Sequence, residues 1–148
     1  MFKILFVCTG NTCRSSMAEA LAKQIIADRQ LQDELMVSSA GISAMKGMPA
    51  AEQAVEVMSR QGIDLTGHRA SMVNKNILTE TDLVLTMTDS HKAALRGQVP
   101  EDKLYILGEY AGEPGNISDP IGGPVEVYQQ CAQQLARLIA KAIERALA

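Results

Sequence analysis

The feature that most constrains this fold is an alternation of periods. Short apolar runs of strand type are separated by stretches in which apolar residues recur at helical spacing. Phe2 to Val7 is an apolar run of strand formers, and the turn chemistry of Cys8-Thr9-Gly10-Asn11-Thr12 breaks it. From Ser15 or Ser16 the period changes: Met17, Leu21 and Ile25 recur every four residues, with Ala18, Ala22 and Ile26 beside them. Ser16 followed by Glu19 has the form of a capping box, which places the helix start there. Leu35 to Ser38 reads as a second strand, followed by Ser39-Ala40-Gly41. Ala50 to Arg60 reads as a helix with Ala51, Val55 and Met58 on one side and Gly62 as its stop. Thr81 to Met87 is a third strand, Ser90 to Arg96 a short helix, and Lys103 to Leu107 a fourth strand. Tyr110 to Gly123 is rich in Gly, Pro, Asn and Ser and reads as a loop of functional length. The last helix starts near Pro124 with a stripe from Tyr128 through Cys131 and Leu135 to Ile143. Strands alternating with helices give an α/β fold: a single domain, 1–148, with a four-stranded parallel sheet covered by helices on both faces.

Composition narrows the function classes. Seventeen acidic residues against fourteen Lys and Arg, a net charge of −3, argue against a chain built to grip nucleic acid. No apolar run approaches the roughly 20 residues of a membrane span. Strand-like hydrophobicity begins at Met1 with Lys3 inside it, leaving no room for a secretory signal. Three cysteines do not make a disulfide framework, and the two histidines fit no zinc spacing, so no metal or other cofactor is expected. The expectation is a soluble cytoplasmic protein; its oligomeric state is not written in the sequence.

In sheets of this class, sites gather beyond the carboxyl ends of the strands, where Cys8, the Ser38-Ser39 pair and the Thr86–Ser90 region should meet. Cys8 to Arg14 spells Cys-x5-Arg, followed by Ser15. Its placement between the first strand and the first helix gives it meaning. A helix N-terminus offers unpaired N–H groups and partial positive charge, and a loop of small residues can turn its amides around a tetrahedral oxyanion. Thr9, Gly10, Asn11, Thr12, Cys13 and Ser15 form that cradle. Arg14 adds a planar fork for two phosphate oxygens. The same field favours the thiolate of Cys8, set beneath a cradled phosphoryl group for attack on phosphorus. The competing reading is that Cys8 is only a small hydrophobe at the end of a buried strand. A phosphorus-attacking thiolate needs a proton donor for its leaving group, and Asp119-Pro120 in the long loop is the candidate. Taken alone, Asp-Pro is an ordinary turn initiator.

Val-Cys-Thr-Gly-Asn-Thr-Cys-Arg-Ser at 7–15, together with Asp119-Pro120, resembles the low-molecular-weight protein tyrosine phosphatase family. The resemblance runs through nearly the whole chain, including Ser39-Ala40-Gly41 and Gly67-His68-Arg69. It implies Cys8 as nucleophile, a cysteinyl-phosphate intermediate, Arg14 as phosphate clamp, and Asp119 as general acid and then base. It also implies a polar network of Asn11, Ser15, Ser39 and His68 that supports the loop, with Ser15 donating to the Cys8 sulfur.

The substrates implied are phosphorylated proteins. Position 12 is Thr, where the tyrosine phosphatases usually carry an aliphatic residue; with Asp-Pro-x-Gly-Gly it looks like the bacterial protein arginine phosphatase branch. A hydroxyl on the pocket wall can pair a guanidinium N–H, and such pairing discriminates more strongly than shape. Ile121 stands where tandem tyrosines flank the ring in many relatives, and also where the arginine-specific branch tends to have an aromatic. Ser16 replaces a common Pro. Phosphoarginine is therefore the leading substrate and phosphotyrosine the alternative. A non-catalytic phosphate-binding or redox-sensing module, with Cys8 and Cys13 able to pair, is a third reading. The arsenate reductases need further cysteines after the third strand, and residues 80–95 have none.

Overall fold

A computed structural model describes residues 1–148. Four parallel strands form one sheet in the order β2-β1-β3-β4: β1 Phe2–Cys8, β2 Leu35–Gly41, β3 Leu83–Thr86 and β4 Leu104–Ile106. The helices are α1 Arg14–Asp28, α2 Glu52–Ser59, α3 Lys75–Glu80, α4 Asp89–Leu95, the single turn α5 Leu107–Tyr110, and α6 Val125–Leu147. No helix is long and apolar enough to cross a membrane.

The central strand shows why both faces are covered. Ile4, Phe6 and Cys8 face a large cluster built with α1, α2 and α6, whereas Leu5 and Val7 face a smaller one with α3 and α4. Alternation along one strand thus feeds two cores. On the larger side, Tyr128, Leu135, Leu138, Ile139 and Ile143 of α6 are all nearly inaccessible, the stripe that the spacing anticipates. Truncating one of these leucines to alanine costs about 2–5 kcal/mol.

Several boundaries differ from the sequence expectation. β2 continues through Ser39-Ala40-Gly41, because parallel pairing with Phe6, Val7 and Cys8 overrides the weak strand preference of small residues. Its end sits beside the Cys8 loop: Ile42 N–H donates to the Cys8 carbonyl and Ser43 N–H to that of Thr9, at 3.0 and 2.9 Å. A Cβ on Gly41 would lie 2.5 Å from the Thr9 carbonyl oxygen, so only glycine fits this approach. In α2 the fully buried positions are Ala54, Val57 and Met58; Ala51 and Val55 are partly buried. Gly62, at φ +77°, closes the turn after it. Helix α3 is an element the sequence reading lacks; Asn74 caps it by accepting Ile77 N–H. It occupies the residues before β3, which starts at Leu83 rather than Thr81. β4 likewise shrinks to Leu104–Ile106, between a 3-10 turn and α5.

The expected capping box does not form. Helix α1 begins at Arg14, with Cys13 in the N-cap position and no side-chain cap. Ser16 Oγ donates to the Cys13 carbonyl, and Glu19 spends its carboxylate on Ser39 and Lys23. The first turn also holds no acidic residue. An uncapped N-terminus with no acidic side chain leaves its N–H groups and its positive end of the dipole to an external anion.

Candidate active site

β1 ends at Cys8 and delivers its sulfur, 2% exposed, to the base of a loop that runs into α1. At the loop's centre Asn11 adopts φ +58°, a left-handed conformation that Asn tolerates better than most side chains. This turns its own N–H toward the Cys8 sulfur, N···Sγ 3.3 Å. The side chain of Asn11 is fully buried and every polar atom of it is used. Its Nδ2 donates to Ser15 Oγ at 2.8 Å and to Ser39 Oγ at 2.9 Å, and its Oδ1 accepts Ser71 N–H at 2.9 Å. Its carbonyl accepts His68 Nε2–H at 2.6 Å.

The direction of these bonds follows from chemistry. Glu19, paired with Lys23, is an acceptor, so Ser39 donates to it at 2.5 Å and must accept from Asn11. Ser71 N–H fixes the orientation of the Asn11 amide. Ser15 Oγ therefore accepts from Asn11 as well, and its one hydrogen is free for the Cys8 sulfur at 2.9 Å. The sulfur thus receives two donors, Ser15 O–H and Asn11 N–H. Glu19 and Ser71 are partners the sequence reading missed. The sequence places Glu19 in a capping box, and nothing in the sequence near Ser71 marks its backbone.

Arg14 is 5% exposed and its Nη1 donates to the Ile117 carbonyl at 3.0 Å. Its Nη2 lies 3.5 Å from Asp119 Oδ2, so the long loop brings its carboxylate to the same place. Asp119 is 44% exposed, and its Oδ1 accepts the Ile121 N–H across Pro120, the turn that Asp-Pro favours. Thr12 is half-buried; its hydroxyl is 3.7 Å from Cys13 Sγ and its carbonyl accepts Ala51 N–H. Gly10 is open enough for a Cβ to meet nothing closer than 3.7 Å. The structure thus brings together Cys8 to Ser15, Ser39, His68 and Asp119, all of the residues the sequence singled out.

Cys13 is the one whose side chain turns elsewhere. Its sulfur lies 3.4 Å from Tyr128 Oη, inside the core. Burial and the neighbouring Cys13 push the Tyr128 phenol up, so it stays protonated beside that sulfur. Cys131 is a packed thiol pushed up to about 12 by burial. All three cysteines are free.

A third missed residue is His91, on the first turn of α4. Its Nε2 is 2.9 Å from Thr9 Oγ1 and its Nδ1 3.1 Å from Thr88 Oγ1. Burial, helped by the Arg14 charge and opposed by Asp119 and Asp89, lowers its pKa to about 4, so the ring is neutral. Asp89 itself is exposed; its N–H donates to Asn116 Oδ1 at 3.0 Å, which ties the α4 start to the long loop.

A sulfur with two donors beneath an uncapped helix end, an arginine and a facing carboxylate define a cysteine-dependent phosphatase. The chain belongs to the low-molecular-weight phosphotyrosine protein phosphatases, whose family pattern matches residues 3–147. It is 40% identical over 147 residues to the protein-arginine-phosphatase of Geobacillus stearothermophilus, covering 97% of this chain and 95% of the relative. The low-molecular-weight protein-tyrosine-phosphatase PtpB of Staphylococcus haemolyticus is 37% identical over 140 residues, covering 94% and 96%. Among solved structures, a mutant of the arginine phosphatase YwlE with a phosphorylated active-site serine superposes with a TM-score of 0.90 at 38% identity, over 99% of this chain and 96% of that one.

Proposed function

We propose that this phosphatase hydrolyses phosphoarginine in proteins, with Cys8 as nucleophile, Arg14 as phosphate clamp and Asp119 as proton donor. The observation that carries the chemistry is the Cys8 sulfur, held by Ser15 O–H and Asn11 N–H. The sulfur attacks phosphorus in line with the leaving group, forming the S–P bond as the P–N bond breaks. Asp119 gives its proton to the departing guanidine nitrogen. Water then attacks the cysteinyl phosphate while Asp119 takes its proton, the S–P bond breaks, and Ser15 stabilises the departing thiolate. Arg14 and the amides of 9–15 hold the equatorial oxygens throughout.

Support for arginine comes from the wall of the pocket. The Thr12 hydroxyl has only a 3.7 Å contact to sulfur, which leaves its oxygen available to a guanidinium N–H. Ile121, 69% exposed, offers no ring to stack on a phenyl face. The likeness to PtpB favours phosphotyrosine as the second reading. The test compares kcat/KM on phosphoarginine and phosphotyrosine peptides for the wild type and Thr12→Ile. The expected outcome is a phosphoarginine preference that falls by about tenfold or more in the variant. A phosphotyrosine preference untouched by Thr12→Ile would overturn the arginine assignment.

A further inference from the structure

We infer that His91 is a positioning residue for substrate selection, holding the Thr9 hydroxyl so that its oxygen accepts an N–H of the substrate guanidinium. This rests on the phosphoarginine reading and extends it to the wall of the pocket formed by α4. Thr9 follows the nucleophile directly and is exposed, while His91 behind it is 6% exposed. The imidazole is clasped at both nitrogens: Nε2 to Thr9 Oγ1 at 2.9 Å, Nδ1 to Thr88 Oγ1 at 3.1 Å. Thr88 Oγ1 also accepts the His91 backbone N–H as cap of α4, so the ring is anchored to a fixed helix end.

A neutral ring has one N–H and one lone pair, which leaves two arrangements. If Nε2 carries the proton, Thr9 Oγ1 accepts from the ring and turns its own hydrogen outward, as a donor. If Nδ1 carries it, Nδ1–H donates to Thr88 Oγ1, Thr9 O–H donates to Nε2, and the Thr9 lone pairs face outward. Donors for a phosphoryl group are already abundant in Arg14 and the loop amides. What a guanidinium lacks at this mouth is acceptors, and the second arrangement supplies one. The charges facing the imidazole agree. Arg14 discourages a proton on the ring, while Asp119 and Asp89 make this side of the mouth acidic, which suits a cationic group. Thr9 and Thr12 then offer two hydroxyl oxygens from one loop to one planar fork of N–H groups.

The test is a double-mutant cycle read as selectivity. kcat/KM is measured for a phosphoarginine peptide and for p-nitrophenyl phosphate, which has no N–H to place, in the wild type, His91→Phe, Thr9→Val and the double variant. Each single substitution should lower the phosphoarginine-to-ester ratio about tenfold, the scale of one lost hydrogen bond to a charged group. Because His91 acts through Thr9, the double variant should lose no more than Thr9→Val alone, and Thr9→Ser should keep the wild-type ratio. Thr9 is at the surface, so Thr9→Val tests the point even if His91→Phe folds poorly. Unchanged ratios in an enzyme that prefers phosphoarginine, or losses that add in the double variant, would overturn this inference alone. A wild type without phosphoarginine turnover would overturn the proposed substrate and this inference with it.

Discussion

Segments 8–15 and 111–123 each bring a candidate catalytic group to the same spot, but the first is braced through a buried side chain at its centre, Asn11, whereas the second leaves its carboxylate, Asp119, half in solvent. In the first, Asn11 alone makes bonds to Cys8, Ser15, Ser39, His68 and Ser71, and the carbonyls of Cys8, Thr9 and Thr12 are all taken by neighbouring N–H groups. In the second, the buried fixed point is Ile117, next to Asn116, which is tied to Asp89. Ile117 is 1% exposed, donates its N–H to the Met87 carbonyl, and gives its own carbonyl to Arg14. Two residues on, Asp119 stands half in solvent. The difference follows the chemistry each has to do. An anion cradle works only if its donors are already aimed when charge develops, because reorienting them costs part of what they stabilise. In the proposed reaction the proton donor has to reach the leaving group in one step and a water in the next, which a half-exposed carboxylate can do.

Asp119→Ala breaks the comparison most sharply on the activity side. Its turnover of phosphoarginine should fall by about 10²–10⁴. The fall should be smaller with p-nitrophenyl phosphate, whose leaving group needs no proton; equal losses on both would contradict the proton-donor role. Stability should change by no more than about 1 kcal/mol, since the Arg14–Asp119 pair is partly exposed. Asn11→Ala should do the reverse. It strands the buried Ser15 and Ser39 hydroxyls, frees the Ser71 N–H, and puts a Cβ without side-chain support at φ +58°. A loss of about 3 kcal/mol or more in urea unfolding is expected. A loss under about 1 kcal/mol would mean that the loop keeps its shape without its central amide.

The same contrast explains what was legible in the sequence. Cys8, Arg14 and Asp119 stood out as candidates because residue type and placement mark them, Cys8 and Arg14 between a strand and a helix and Asp119 before a proline in a long loop. The sheet was readable because buried parallel strands are short apolar runs. Glu19, Ser71 and His91 were not. Glu19 sits where a capping box is expected, and its bond to Ser39 crosses from α1 to β2. Ser71 contributes only a backbone N–H. His91 meets Thr9 only because β1 and β3 are adjacent in the sheet, a pairing across 82 positions of chain. Helix α3 escaped because six residues are too few to show a period. Local signals mark the candidate reacting groups, whereas the groups bonded around them are joined by tertiary contacts.

His91 joins the two regions, being set against Thr9 of the first and near Asp119 of the second, and it gives the smallest predicted effect a clear sign. Its folded pKa is about 4, below the ordinary histidine value of 6.5. As pH falls through 6.5 the unfolded chain takes up a proton at this residue while the folded protein does not, so stability decreases down to about pH 4 and the slope then ends. Between pH 7 and pH 5 the contribution is about 2 kcal/mol. Glu109, Asp64 and Glu113 also have lowered values and add their own loss at acid pH, but that part is common to any His91 variant. Urea midpoints at the two pH values, compared between wild type and His91→Phe, isolate the histidine. The wild type should lose more stability than the variant on acidification. Equal losses would mean that the ring already takes its proton inside the fold, and that the wall of the pocket behind Thr9 is wetter than its burial indicates.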